Sequence, residues 1–126
     1  RALPLPVSVP SHCELMAPAA LKLAEKLEKI NLNSAAAFSI PSIPVIHNVD
    51  VLSHQNNSEQ IKQALIKQLA QPVQWVKIIN SMAKNYGVLR VVEIGPGKVL
   101  TGLNKRMLDE SAGVEFINFN GEELIK

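Results

Sequence analysis

The sequence predicts an α/β fold, a parallel β-sheet flanked by helices. Three observations carry this. Val88-Leu89-Arg90-Val91-Val92-Glu93-Ile94 is almost continuously apolar, as suits a parallel strand covered on both faces. Gly95-Pro96-Gly97 then turns the chain directly into a helical pattern. Along the whole chain, strand-like and helix-like stretches alternate, which is the mark of layered α/β architecture.

The elements follow in order. Residues 1–10 read as an extended strand ending in a loop, because Pro4, Pro6 and Pro10 remove backbone donors. Ser11 followed by Glu14 matches a capping box and marks a helix start. Met16, Ala20, Leu23, Leu27 and Ile30 then recur at spacings of four and three, one face of a helix. Pro18 sets the first turn apart or kinks it. Residues 31–43 form a loop, and Pro44-Val45-Ile46-His47 reads as a short buried strand. Asn56-Asn57-Ser58 precedes a helix with Ile61, Leu65 and Leu69 on its apolar face. Pro72 suits the first turn of the next helix, which carries Trp75, Ile79, Met82 and Tyr86. A helix with Leu100, Leu103 and Met107 follows the glycine turn, and Val114–Phe119 forms the last strand.

Composition sets the bounds. The 126 residues are enough for one modest domain, and 47% are hydrophobic, so a core can form. Aromatic residues are only 4%, which leaves Ala, Leu, Ile and Val to build it. A net charge of +2 without a dense Lys/Arg tract argues against nucleic-acid binding. No apolar run approaches the roughly 18 residues of a membrane helix. The N-terminus has no signal-peptide pattern and no initiator Met, which is compatible with a chain that begins inside a longer protein. The single cysteine excludes an internal disulfide and suits a reducing cytosol.

Among residues able to carry chemistry, His12 stands first. As the first residue of a helix it would lie beside the N-terminal partial positive charge. That setting favours the neutral imidazole that a general base requires. Cys13 is adjacent to it, but neighbouring positions on a helix do not face each other, so Cys13 reads as a small buried apolar residue. His12, Cys13, His47 and His54 have no recognised metal-ligand spacing. The Gly95-Pro96-Gly97-Lys98 turn fails the dinucleotide pattern at Leu100 and the P-loop pattern at Val99. It reads mainly as a tight backbone connection, and the alternative is an anion contact at the free amides of a helix N-terminus through Lys98. Asn48 and Asp50 follow a strand, where α/β proteins place their sites. They line a pocket, or else end the strand in an Asx turn. Trp75 reads as a core anchor.

Four segments in order are Val7-Ser8-Val9-Pro10-Ser11-His12-Cys13, Asn48-Val49-Asp50, Gln71-Pro72-Val73-Gln74-Trp75, and Glu93-Ile94-Gly95-Pro96-Gly97-Lys98-Val99-Leu100-Thr101-Gly102-Leu103. Together they resemble the C-terminal half of malonyl-CoA:acyl carrier protein transacylase, from about Arg1 to Met107. The resemblance implies the C-terminal portion of an α/β-hydrolase-like acyltransferase subdomain. Residues 1–10 would end a small ferredoxin-like subdomain, and residues 11–126 would belong to the large one.

It further implies malonyl transfer from coenzyme A to the acyl carrier protein thiol, in fatty acid biosynthesis in the cytoplasm. His12 would be general base and acid, and the backbone carbonyl of Gln68 would orient it. Asn48 would contact substrate. Lys98, Lys105 and Arg106 would dock the acidic carrier protein, although a solvated helix face explains them slightly better. No metal or cofactor is implied, because malonyl-CoA is a substrate. His47 departs from the pattern, since Asn is common there, and the loop through Ser34–Ser39 looks longer than usual.

No glycine in this chain is followed two positions later by serine, so the family's G-x-S-x-G nucleophile is absent. Its N-terminal half would therefore be a required partner. The alternative is a non-catalytic fragment that binds a partner or carrier protein without turnover.

Overall fold

A proline early in a helical pattern decides where that helix starts. Pro18 is the second residue of α1 (Ala17–Leu32), where its missing N–H costs nothing, and a short 3₁₀ turn over Glu14–Met16 precedes it. The computed structural model describes residues 8–32, 40–54, 57–108 and 112–119. The capping box expected from Ser11 and Glu14 does not form. Cys13 leads into the 3₁₀ turn with extended backbone and no side-chain cap. His12 is therefore not the first residue of a helix; it sits in the preceding turn at φ 61°. The expected strand and link over residues 1–10 falls largely outside the described residues, as does the Ser34–Ser39 stretch.

The chain divides into two compact units, residues 1–74 and 75–126. In the first, α1 packs on α2 (Ser58–Ala70). Ala20 and Leu27 meet Ile61 and Ala64 in its core, while Ile30, at the end of the predicted stripe, is exposed. Asn57 caps α2 by accepting a hydrogen bond from the Gln60 amide at 3.1 Å, a contact of about 1 kcal/mol. Lys62 is buried on α2, with its ammonium 3.4 Å from Glu59 and 3.8 Å from Glu28 of α1. The strand expected at Pro44–His47 is absent. That stretch pairs with no strand among the described residues, and Val45 is half exposed. Only its last residue, His47, is buried, because the turn that follows folds back on it.

In the second unit, α3 (Trp75–Lys84) starts at the tryptophan. Pro72 thus lies before the helix instead of in its first turn, and Tyr86 lies beyond its end, exposed. Ile78 and Ile79 are buried, and the Trp75 indole N–H donates to Asn104 Oδ1 at 2.8 Å. Asn104 is itself fully buried on α4 (Val99–Met107), so this bond satisfies a polar group that burial would otherwise penalise. The anchor role read for Trp75 has this physical content.

Strands β1 (Arg90–Ile94) and β2 (Glu115–Phe119) pair in parallel, with Arg90 opposite Glu115 and Ile94 opposite Phe119. The crossover between them is α4, as a parallel pair requires. One expectation fails here. Strand β1 is not covered on both faces: its residues alternate between exposed and half-buried, and Ile94 is 81% exposed. Gly95 (φ 142°) and Gly97 (φ 88°) make the strand-to-helix turn in a region where side chains are strained.

Glu93 closes this turn. Its carboxylate accepts from the Leu100 amide at 3.1 Å, the Thr101 amide at 2.7 Å and the Thr101 hydroxyl at 2.6 Å. A strand residue thereby supplies the negative cap that α4 lacks at Lys98. The Thr101 hydroxyl, followed by the Thr101 amide, holds the Glu93 carboxyl below its ordinary value against a smaller effect of burial. A carboxyl lowered in the fold contributes stability above its unfolded value and loses it as pH falls through the folded value. Glu93→Gln should therefore lower the melting temperature at neutral pH. The gap to the parent should close as pH drops through the carboxylate range. A gap that persists in acid would show that geometry, and not charge, is what matters at this position.

Candidate active site

The last turn of an α-helix leaves four backbone carbonyls without helical partners. In α2, the Gln71 amide takes the carbonyl of Lys67 at 3.1 Å. His12 takes two more. Its backbone N–H donates to Leu69 at 3.1 Å, and its ring Nδ1–H donates to the Gln68 carbonyl at 2.8 Å. One residue from a distant turn thus caps the helix twice. The carbonyl can only accept, so Nδ1 carries the proton and the neutral ring has its lone pair at Nε2. The left-handed backbone at His12 lets its amide and its ring reach the same helix end.

His12 lines a cavity of about 310 Å³ with Ser11, Met16, Asn48, Gln68 and Leu69. Of the residues singled out from sequence, the fold therefore brings together His12, Gln68 and Asn48. Cys13 is half-buried, and its thiol is directed to the Pro10 carbonyl at 3.1 Å. Lys98, Lys105 and Arg106 lie on the second unit, exposed, at the start and in the last turn of α4. The two amides an anion could have used behind Lys98 are already bound to Glu93. Among the described residues no group of three or more His, Cys, Asp or Glu side chains is placed to hold a metal.

Asn48 belongs to a tight turn. The Val51 amide donates to the His47 carbonyl at 3.0 Å, and the His47 amide donates to Leu52, also at 3.0 Å. The Gln74 amide donates to the Asn48 carbonyl at 2.8 Å. Asp50 is the polar centre of this turn. One carboxylate oxygen accepts from the Leu52 amide at 3.2 Å, and the other lies 2.7 Å from His54 Nε2. That cluster was not legible as a unit in the sequence, although Asp50 and His54 stand at a spacing of four. Burial pushes the His47 imidazole below its ordinary value, with nearby Asp50 opposing. For Asp50, hydrogen bonding to His54 and Leu52 outweighs burial and holds the carboxyl low. Val51 sits at φ 65°, a strained conformation for a β-branched residue, on the order of 1–3 kcal/mol.

No protein-family model matches the chain. A malonyl CoA-acyl carrier protein transacylase of Escherichia coli strain K12 is 55% identical over 109 residues, covering 86% of this chain and 33% of that protein. The crystal structure of an acyl carrier protein S-malonyltransferase from Vibrio cholerae matches with a TM-score of 0.81 at 46% identity, covering 100% of this chain and 39% of that one. A solved complex of a type II PKS acyl-carrier protein with its malonyl-transacylase also matches, with a TM-score of 0.81 and 47% identity over 95% of this chain and 35% of that one. The fold is that of α/β acyltransferases. By sequence, the chain belongs to the malonyl CoA-acyl carrier protein transacylase family and corresponds to its C-terminal part. It spans about a third of the length of the curated relatives it matches.

The His12–Gln68 contact fixes a tautomer, and that is directly measurable. Nitrogen-15 NMR at alkaline pH should report His12 protonated at Nδ1. A ring protonated at Nε2 would mean the Gln68 carbonyl does not orient it.

Proposed function

We propose that this chain supplies the histidine half of an acyl-transfer site that moves a malonyl group from coenzyme A to the thiol of an acyl carrier protein, the cytoplasmic step that supplies fatty acid biosynthesis. One observation carries the reading: a histidine on a cavity wall, its Nδ1–H bound to a helix-terminal carbonyl 2.8 Å away. The names of the relatives agree with it.

In this mechanism the nucleophile is a serine from outside the chain, since no G-x-S-x-G occurs within it. His12 Nε2 removes the serine hydroxyl proton as the oxygen attacks the malonyl thioester carbonyl. Collapse of the tetrahedral adduct breaks the carbon–sulfur bond. The departing coenzyme A thiolate takes the proton from Nε2. The carrier thiol then enters, gives its proton to Nε2 and attacks the serine ester. The proton returns to serine as that ester breaks. In each half His12 carries the proton transiently, and the carbonyl end of α2, with its partial negative charge, faces the ring. A neutral carbonyl orients the imidazole as a triad aspartate would, but with less charge stabilisation.

The solved carrier-protein complex supports a carrier protein as the second substrate. Lys98, Lys105 and Arg106 are exposed and suit an acidic surface. Asn48 lines the same cavity as His12, which supports a contact with the acyl-coenzyme A substrate.

In a complete transacylase carrying this segment, His12→Ala should lower turnover by about 10²–10⁴-fold without unfolding the enzyme. Gln68→Ala should cost far less, because its carbonyl survives. Equal losses would place the orienting role on the Gln68 side chain. This chain alone, incubated with malonyl-CoA, should show no added mass. Stable malonylation of any residue, Cys13 included, would contradict the assignment. Charge reversal at Lys105 and Arg106 should raise KM for the carrier protein and leave KM for malonyl-CoA unchanged. An unaltered carrier KM at low salt would remove both residues from the docking surface.

A further inference from the structure

We propose that Asp50 and His54 are positioning residues, whose hydrogen-bonded pair holds the strained His47–Leu52 turn so that Asn48 stays on the wall of the His12 cavity and seats the acyl-coenzyme A substrate there. The inference rests on the acyl-transfer reading of that cavity.

The argument begins with Asn48. Its side-chain oxygen is buried and has no hydrogen-bond partner among the described residues. Its placement therefore depends on the backbone beneath it. That backbone is held at the Asn48 carbonyl by Gln74 and at His47 by the two turn bonds with Val51 and Leu52. The turn closes only with Val51 at φ 65°, a conformation an isolated valine leaves readily. Something must hold it. Asp50 stands next to Val51 and is bound at both oxygens: one to the Leu52 amide within the turn, the other to His54 beyond it.

The pair is sheltered on its His54 side and open to solvent at Asp50. The His54 side chain is 13% exposed and the Asp50 side chain 31%. At 2.7 Å the contact is a short hydrogen bond to a carboxylate, the charge-assisted kind. The His47 ring lies 5.5 Å from the His54 ring and is buried, so it packs against the outer partner of the pair. Burial keeps the His47 ring toward its neutral form, with nearby Asp50 opposing. His12 is held separately, by the end of α2. Loss of the pair should therefore disturb the seating of substrate while leaving proton transfer in place.

The test is steady-state kinetics in a complete transacylase that carries this segment, with malonyl-CoA as the varied substrate. Asp50→Ala and His54→Ala should each raise KM for malonyl-CoA by about three- to tenfold, with kcat within about twofold. His54→Gln, whose amide N–H can still donate to Asp50, should stay closer to the parent than His54→Ala. Adding Val51→Gly to Asp50→Ala should bring KM back toward the parent, because glycine keeps a positive φ without being held there. An unchanged KM in both alanine variants would overturn the proposal. So would equal losses in kcat and in melting temperature that Val51→Gly does not repair, since these describe a general structural role. His12→Ala in the same assay separates the two levels. If it keeps turnover, the acyl-transfer reading itself fails; if it loses turnover while Asp50→Ala matches the parent, only the positioning role fails.

Discussion

The histidine of the candidate site is set by how one helix ends. Helix α2 stops at Ala70 with carbonyls that need donors, and His12 meets two of them, one with its backbone and one with its ring. The same contacts do three things. They satisfy helix-end carbonyls, they tie a turn 56 residues away in sequence to the helix, and they fix which imidazole nitrogen bears the proton. A carboxylate in that place would need its own hydrogen-bonding partners and its own desolvation. A helix end comes with the acceptor already built and aimed. The arrangement also accounts for the left-handed backbone at His12, since its amide and ring must both point to one helix terminus.

Opposite charges at helix ends organise the second unit by the same physics. There the problem is four unpaired amides at the start of α4, and Glu93 brings a carboxylate from the preceding strand to two of them. In sequence the turn reads mainly as a tight backbone connection whose amides could take an anion; in structure they take an internal one, the Glu93 carboxylate. That leaves Lys98 as an exposed surface charge, together with Lys105 and Arg106 in the last turn, where basic side chains also complement the helix dipole.

Periodic stretches were legible from sequence, and end effects were not. The faces of α1 and α2, the run from Val88 to Ile94 and the glycine turn each repeat one preference over several residues, and repetition survives tertiary context. The failures lie where a single contact decides. Ser11 and Glu14 spell a capping box, yet the bonds at His12 pull the chain into a left-handed turn and the helix begins later. Pro44–His47 has strand composition but finds no neighbour to pair with, and composition cannot supply a ladder. The apolar run ending at Ile94 predicts a covered strand, but exposure depends on what lies above it, and Ile94 is exposed. At the site, the residue types at His12 and Asn48 suggested a pocket. The Gln68 carbonyl could be named only through resemblance, because every residue has a carbonyl and no side chain marks this one. The pairing of Asp50 with His54 depends on a turn through Val51 at positive φ, which no local preference of valine suggests.

The central claim is that a backbone carbonyl, not a side chain, orients the histidine of an acyl-transfer site. Replacing the Gln68–Leu69 amide by an ester, in a semisynthetic complete transacylase, tests it most directly. The change weakens the Gln68 carbonyl as an acceptor and leaves every side chain in place. The account predicts that acyl-enzyme formation from malonyl-CoA slows by about tenfold or more, as expected for loss of one well-placed hydrogen bond, with the melting temperature lowered no more than by an ester one turn earlier. Acylation at the parent rate in the ester enzyme would contradict it.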